Sequence, residues 1–281
     1  MLVQLNSQVN SPYLPEAAQD TVLRLGIAPL ADSAWLQTDA DFASFHAHKS
    51  HVLTTSAPAV CLSLPDSITA QEQFAHFLLQ NLRDHHSAIY VQDKSTLQHR
   101  PSGLTWSLDN LRLAHSSLWI QEDICLLEPA GKDYIMTAAS VCAPSNWKLE
   151  EKIGKTLDAI HAPVPGYEVE LAARVNRLLA GIKPGKALLR YNWSLQAGNE
   201  LLWRQDYTPA TVNAQLYWRV ERQSLLRIPG TNIIIFSIRI YLNSLVQLAL
   251  IPGFQHNLQN ILARLPAAQM AYKGLLDKTL G

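Results

Sequence analysis

A long β-hairpin in the last quarter of the chain constrains the fold more than any other stretch. Residues 218–242 read WRVERQSLLRIPGTNIIIFSIRIYL, two runs rich in β-branched and apolar residues on either side of the turn sequence PGTN. Such runs are typical of antiparallel strands, and a two-residue turn at Gly230 and Thr231 pairs Pro229 with Asn232. The partner numbers of every further pair then have the same sum, 461, which defines the register of both strands.

This register brings two arginines side by side. Arg222 stands directly opposite Arg239, and like charges directly across a ladder repel each other. We therefore expect an anion over that face of the sheet, and a carboxylate ligand held by both guanidiniums would satisfy the pair. Compensation by Glu128, Glu150 or another acidic residue, or a register shifted by one residue, would also remove the conflict.

The remaining chain alternates between helical and strand-like blocks. Helical periodicity covers residues 69–86, β-branched and aromatic runs cover 87–143, and two helices are predicted over 146–160 and 167–181. Three more strands follow, and the last helices are interrupted at Pro266. Blocks of strands and blocks of helices favour an α+β fold with a mostly antiparallel sheet, not a doubly wound one.

Composition excludes several classes of partner. The 23 basic residues balance the 23 acidic ones and form no stripe along the chain, which argues against nucleic acid as a partner. The longest apolar run, residues 232–242, is too short to span a membrane and contains an arginine. With no signal peptide at the start, we expect a cytoplasmic protein that does not enter the membrane.

Cofactor fingerprints are absent as well. Cys61, Cys125 and Cys142 lie far apart, so an iron–sulfur cluster or a cysteine-built zinc site within this chain is not expected. Neither G-x-G-x-x-G nor a P-loop occurs, which argues against a nicotinamide or nucleotide fold.

The apolar stripe of the helix predicted over 146–160 continues into His161. Leu157 lies four residues earlier on the same helix face, so the imidazole is dehydrated and needs a partner. Pro163 and Pro165 follow and stiffen the exit from the helix. His161 is therefore either a core histidine bonded to a backbone carbonyl or a ligand to a bound group.

A histidine at an apolar wall and a pair of arginines together match the needs of a haem. A haem requires an axial nitrogen, apolar walls and cationic anchors for its propionates. The sequence contains no C-x-x-C-H, so a haem here would not be covalently attached.

Five segments, residues 23–42, 117–128, 144–167, 188–195 and 218–242, carry motifs in a fixed order. These motifs include W-x-x-x-E-K-x-G, I-H-x-P-V-P-G-Y, R-x-N-W-S and R-V-E-R-Q-x-L-x-R-x-P. In sequence and order they resemble the haem-dependent oxidative N-demethylase alpha-subunit-like family. The motifs are long enough to be specific.

The resemblance implies a fold, an activity and a partner. The fold would be PAS-like, an antiparallel sheet with flanking helices that binds haem b without covalent attachment. The activity would be the O2-dependent oxidation of a methyl group on a small secondary amine, with release of formaldehyde. Electrons would come from NADPH through a separate reductase subunit that carries flavin and an iron–sulfur cluster. We expect one compact unit with an N-terminal extension (1–86), a PAS-like haem-binding core (87–243) and C-terminal helices (244–281).

The same motifs name the candidate site residues. His161 is expected to be the axial ligand of the iron, and Arg222 and Arg239 are expected to anchor the propionates. Asp123 or Glu221, or the neighbouring Glu122, is expected to hold a cationic amine by charge-assisted hydrogen bonds. The remaining residues expected around the cofactor are Trp147, Lys152, Tyr167, Arg190, Asn192, Arg219 and Gln223.

Two other functions fit the same sequence. A haem-based sensor or small-ligand-binding module would use the same histidine without turning over an amine. An interaction protein whose haem site has decayed would keep His161 as an ordinary core residue. Nothing in the sequence separates an enzyme from a sensor.

Overall fold

The structure, a computed structural model, describes residues 26–162, 172–204 and 215–272. Ten strands lie in these ranges: β1 (Ala28–Leu30), β2 (Cys61–Ser63), β3 (Tyr90–Asp93), β4 (Thr96–His99), β5 (Leu104–Ser107), β6 (Asp123–Ala130), β7 (Asp133–Ser140), β8 (Ala187–Ala197), β9 (Leu216–Arg227) and β10 (Ile234–Ser244). Seven of them form one antiparallel sheet in the order β1-β8-β9-β10-β6-β7-β2, and β3, β4 and β5 form a second, smaller sheet.

Helices surround the two sheets. The described ranges contain α1 (Phe42–Thr55), α2 (Ala57–Val60), α3 (Ile68–His85), α4 (Leu113–Ser116), α5 (Leu157–His161), α6 (Ala172–Gly181), α7 (Leu245–Leu248), α8 (Phe254–Arg264) and α9 (Ala267–Tyr272). The mixture of helices with a large antiparallel sheet confirms the predicted α+β class. Within the described ranges, no helix has the length and apolar character needed to cross a bilayer.

The two edges of the large sheet come from the N-terminal part of the chain. β1 pairs with β8 at one edge, and β2 pairs with β7 at the other. Residues before position 87 therefore share a sheet with the expected core. The three-part division of the chain stays a prediction.

The predicted hairpin register is confirmed. β9 and β10 pair from Arg227 with Ile234 to Tyr217 with Ser244, and Arg222 lies opposite Arg239. The turn is wider than two residues, because the ladder stops before Pro229, which has no N–H to donate. Ile228 and Ile233 close the hairpin with a hydrogen bond of 3.0 Å, so the pairs still sum to 461.

The helix predicted over 146–160 is not formed as one helix. A short 3-10 segment, Leu149–Glu151, is followed by Gly154 at φ +75°, a left-handed conformation that breaks the helical path. The Gly154 amide donates to the Met136 carbonyl at 2.8 Å, and the Met136 amide donates to Lys155 at 3.1 Å. These bonds to β7 replace helical ones, and only α5 remains helical at the end of the segment.

Because side chains alternate along a strand, the two faces of the sheet have different covers. One face carries Arg219, Glu221 and Gln223 of β9, and we call it the α5 face. The next member of this alternating set, Leu225, packs in one apolar cluster with Leu157 and Ile160 of α5.

The opposite face carries Trp218, Val220 and Arg222 of β9, and we call it the α8 face. Trp218 and Val220 pack in one apolar cluster with Phe254 and Leu258 of α8. Farther along the same face, α3 contributes to a larger apolar cluster that also holds Leu226 and Ile235. The α8 face is therefore covered by helices along its length.

The arginine pair lies on the α8 face and is compensated from within the chain. Arg239 forms an ion pair with Asp39 at 3.0 Å. Arg222 donates to the Trp35 carbonyl at 3.0 Å and also to the Ala34 carbonyl. The expectation that another acidic residue compensates the pair is therefore confirmed, with Asp39 in that role.

The two acidic residues named from sequence are engaged elsewhere. Glu150 pairs with the buried Arg204 at 2.7 Å, and Glu128 accepts from Thr137 at 2.6 Å. Burial by itself would raise the pKa of Asp39, but the charge of Arg239 and hydrogen bonds from Gln121 and the Asp41 amide together lower it. The contacts around Asp39 fasten the segment before α1 to the sheet.

We expect Asp39→Asn to destabilise the fold, because it leaves the buried Arg239 without its anionic partner. Breaking a buried pair costs several kcal/mol, and the partial exposure of Asp39 reduces this to about 2 kcal/mol. Urea denaturation followed by circular dichroism measures the loss. Asp32→Asn is the matched control, since its ion pair with Lys186 is exposed, and we expect almost no change there. Equal losses in both variants would contradict a structural role for the Asp39 pair.

The small sheet is joined to α1 by aromatic contacts around His99. The imidazole stacks on Phe42 with ring centroids 3.7 Å apart, and its Nδ1 lies 2.8 Å from the Ser102 hydroxyl. Its Nε2 is buried and has no hydrogen-bond partner among the described residues. Burial, with a smaller contribution from the charge of His46, lowers the pKa of His99 to about 4.

This pKa predicts a loss of stability in mild acid. The unfolded state binds a proton near pH 6.5, whereas the folded state resists protonation until about pH 4. The contribution of His99 to the free energy of unfolding is therefore fully present above pH 6.5 and declines as the pH falls from 6.5 to 4. Urea midpoints measured between pH 7.5 and 4 should decline less steeply in His99→Asn than in the wild type. His85→Asn, at an exposed histidine, should keep the wild-type slope, and identical slopes in all three proteins would refute the assignment.

Candidate functional site

His161 is the last residue of α5, a short helix whose start is capped. The Thr156 hydroxyl at the N-cap accepts from the Ala159 amide at 3.3 Å. His161 Nδ1 lies 2.8 Å from the Leu157 carbonyl oxygen, one turn earlier in the same helix. A carbonyl oxygen only accepts hydrogen bonds, so Nδ1 carries the proton and the lone pair of the neutral ring is on Nε2.

The surroundings of His161 favour its neutral form. Burial lowers the pKa of His161, the hydrogen bond to the Leu157 carbonyl opposes this effect, and the charges of Arg190 and Lys152 lower the pKa further. Lys152 is itself buried and donates to the Ile160 carbonyl at 3.3 Å, at the C-terminal end of α5. A neutral imidazole with an oriented ring is the form that ligates iron.

A row of polar side chains on β8 and β9 shares the α5 face with this helix. The ladder pairs Arg190 with Gln223 and Asn192 with Glu221. Glu221 lies at the centre of the row: its Oε2 accepts from Asn192 at 3.2 Å and from Gln223 at 2.8 Å. Its Oε1 is 3.7 Å from Arg219 Nε, an ion pair that is too long for a hydrogen bond.

Three polar atoms on this face of β8 and β9 are buried without a hydrogen-bond partner among the described residues. They are Nε of Arg190, Nε of Arg219 and Oε1 of Gln223. Burial lowers the pKa of Arg190, although the nearby charge of Glu221 opposes this effect. Because buried polar groups in folded proteins are normally hydrogen-bonded, a donor and an acceptor in this state point to a ligand on the α5 face.

Apolar side chains border the polar row on one side. On β10, Ile238, Ile240 and Leu242 stand opposite Gln223, Glu221 and Arg219 in the ladder, and thus on the same face. Trp147 packs against the apolar cluster that contains Leu157 and Ile160. The face therefore combines an apolar border, a polar row and a histidine on the helix that covers it.

Arg222 and Arg239 do not take part in this arrangement. Both lie on the α8 face, and the sheet separates them from Glu221 and from the helix of His161. Their role as propionate anchors stays a prediction, and the geometry does not favour it. Alternation along β9 was visible in the sequence, but only the packing of α5 shows which alternate set faces His161.

Asp123 is held by the backbone. Its two carboxylate oxygens accept from the amides of Cys142 and Ala143, each at 2.9 Å, and burial raises its pKa. The buried Arg219 donates to Gln196 at 3.1 Å and also to the Ala143 carbonyl. Both residues fasten the end of the β7 segment, and a catalytic role for Asp123 stays a prediction that these contacts do not favour.

Glu122 and Tyr167 are the remaining residues that the sequence names as candidates. Glu122, on the α8 side, is buried and accepts from the Gln37 amide at 2.7 Å, which leaves Glu221 as the acidic candidate on the α5 face. Tyr167 lies outside the described residues. Sequence reasoning missed the buried Lys49, which donates to the carbonyls of Ser117, Ile120 and Glu122, because no periodicity marks a lysine for burial.

The family model described as haem-dependent oxidative N-demethylase, alpha subunit-like, matches residues 26–278. The match spans α5 with His161 and the strands that carry the polar row, and it covers far more than half of the 281 residues. This chain therefore belongs to the haem-dependent oxidative N-demethylase alpha-subunit-like family.

Proposed function

We propose that this protein is the haem-binding oxygenase subunit of an oxidative N-demethylase whose substrate is a small secondary amine. The family it belongs to is named for haem dependence and for an alpha subunit. The observation that carries the proposal is the half-buried Arg190, whose buried Nε has no hydrogen-bond partner among the described residues and whose charge helps to keep His161 neutral.

The α5 face fits a haem b held without covalent bonds. Nε2 of His161 would ligate the iron, because the hydrogen bond from Nδ1 to the Leu157 carbonyl orients the ring. Arg190 would pair with a propionate, which supplies the anion that a buried guanidinium needs. Trp147 and the β10 side chains would provide apolar contacts beside it. We retain the predicted role near the cofactor for Lys152, because it donates to the last turn of α5.

The proposed reaction needs activated O2 and a source of electrons. When bound, haem would supply the activation of O2 and the oxidation of the methyl group. One oxygen atom ends in formaldehyde and the other in water, with two electrons and two protons consumed. Since the chain has neither a dinucleotide fingerprint nor clustered cysteines, we assign the NADPH-dependent delivery of electrons to a partner subunit with flavin and an iron–sulfur cluster.

Glu221 is the residue that we assign to the amine. Asn192 and Gln223 hold its Oε2, while Oε1 makes the 3.7 Å contact with Arg219 Nε. Oε1 would accept an N–H of the substrate ammonium and hold its proton. Ile238 and Ile240 would exclude water beside it, which strengthens the charged hydrogen bond.

His161→Ala tests the proposal as a whole. Haem-loaded wild type with O2 and a reductase should release formaldehyde from a secondary amine and show a sharp Soret band. We expect His161→Ala to lose the band and the activity, and added imidazole to restore the band by replacing the missing ligand. His85→Ala, at an exposed position, should behave as the wild type. A Soret band that the substitution leaves unchanged would refute ligation by His161, and haem binding without formaldehyde would favour a sensor.

Arg190→Met tests the cationic anchor separately. A charge-assisted hydrogen bond contributes about 1.5 to 3 kcal/mol, so the Kd for haem should rise about 10- to 100-fold. The Kd of Arg190→Lys for haem should lie between those of Arg190→Met and the wild type, because a lysine keeps the charge but not the planar guanidinium. The exposed Arg100→Met is the control, and haem titration followed at the Soret band is the measurement. An unchanged Kd in Arg190→Met would remove Arg190 from the site.

A further inference from the structure

The amide of Gln223 presents an unused acceptor next to Glu221. Gln223 is 7 % exposed, and its Nε2 donates to Glu221 Oε2 at 2.8 Å. A carboxylate only accepts, so the orientation of the amide is determined and its oxygen must point elsewhere. That oxygen is buried and forms no hydrogen bond with any part of the chain that the structure describes.

Glu221 offers a second acceptor beside the first. Its Oε2 already receives two donors, from Asn192 and Gln223, whereas its Oε1 is left with the 3.7 Å contact to Arg219 Nε. Because one hydrogen bond ties the two side chains together, the two unused oxygens belong to one rigid unit on the α5 face. The unit has a net negative charge and two positions for N–H donors.

The guanidinium of Arg190 is a potential competitor for the Gln223 oxygen. Arg190 lies opposite Gln223 in the ladder, yet no hydrogen bond joins the two side chains. An anion held by Arg190, such as the propionate proposed above, would keep the guanidinium engaged. The Gln223 oxygen would then remain available to a ligand.

We propose that Gln223 determines substrate specificity by favouring an ammonium group with two N–H donors over one with a single N–H donor. This inference rests on the proposed function. A secondary ammonium has two N–H donors, of which one would reach Glu221 Oε1 and the other Gln223 Oε1. A tertiary ammonium has a single N–H and leaves one buried acceptor unpaired. A site built to hydrogen-bond a substrate group discriminates against analogues that lack it, because the unpaired group in the site retains its desolvation cost.

The test compares the binding of two small amines to haem-loaded protein. Dimethylammonium and trimethylammonium are titrated, and binding is followed by calorimetry and by the change in haem absorption. We expect the wild type to bind dimethylammonium about 10-fold more tightly, the effect of one hydrogen bond to a buried acceptor. Gln223→Met keeps the length of the side chain without its acceptor. This variant should lose most of the preference, because it removes the acceptor that dimethylammonium alone would use, whereas the lost hydrogen bond to Glu221 affects the binding of both amines.

Gln71→Met is the matched control. Gln71 is also a buried glutamine, but its amide is engaged by Ser67 and the Leu113 backbone, and it lies in α3 over the other face of the sheet. The control should keep the ratio of the two affinities, and the Soret band and thermal unfolding of each variant report whether it folds and binds haem.

The possible outcomes distinguish a failure of the role proposed for Gln223 from a failure of the proposed function. Equal affinities in the wild type, or an unchanged ratio in Gln223→Met, would overturn the role of Gln223 while leaving the proposed function in place. Haem-loaded protein that binds neither amine would overturn the proposed substrate class and the inference with it. If Gln223→Met loses the preference for dimethylammonium while Gln71→Met keeps it, the result would support both the role of Gln223 and the proposed function.

Discussion

The alternation of side chains along β9 organises the whole molecule. This strand lies between β8 and β10, and each of its residues contributes to one of two separate environments. A shift of the register by one residue would exchange the arginine of the α8 face with the carboxylate of the α5 face. The apolar clusters on both faces prevent such a shift. A shifted register would remove Trp218 and Val220 from the cluster with α8 and bury charged groups in their place.

The two faces treat their buried charges differently. On the α8 face, the terminal guanidinium nitrogens of Arg222 and Arg239 meet backbone carbonyls and the carboxylate of Asp39, although Nε of Arg239 is buried without a hydrogen-bond partner among the described residues. On the α5 face, Arg190 and Gln223 keep polar atoms without partners among the described residues. Unsatisfied buried groups cost stability and occur on both faces. On the α5 face they lie on the side of the sheet that the helix of the oriented His161 covers, and this combination supports the proposal of a ligand there.

Electrostatics explains why an anionic cofactor and a cationic amine are compatible on one face. Glu221 lies between the guanidiniums of Arg190 and Arg219, which by themselves would disfavour a second cation. An anion paired with Arg190 would remove part of that positive field and leave Glu221 available to an ammonium group. The same pairing would keep the guanidinium away from the Gln223 oxygen, so binding of the cofactor would prepare the contacts of the substrate.

Local patterns in the sequence were sufficient for the class of fold and for the hairpin register, whereas the role of His161 stays a prediction. These features depend on alternation, turn residues and helical spacing, which act over short distances along the chain. Local patterns were misleading at residues 146–160, where bonds between Gly154 and Met136 replace helical ones. The choice of the face on which each charge lies, and of Asp39 as the partner of Arg239, was decided only by the tertiary structure. Those contacts join residues some 200 positions apart, and no local pattern encodes which of many distant groups will be packed together.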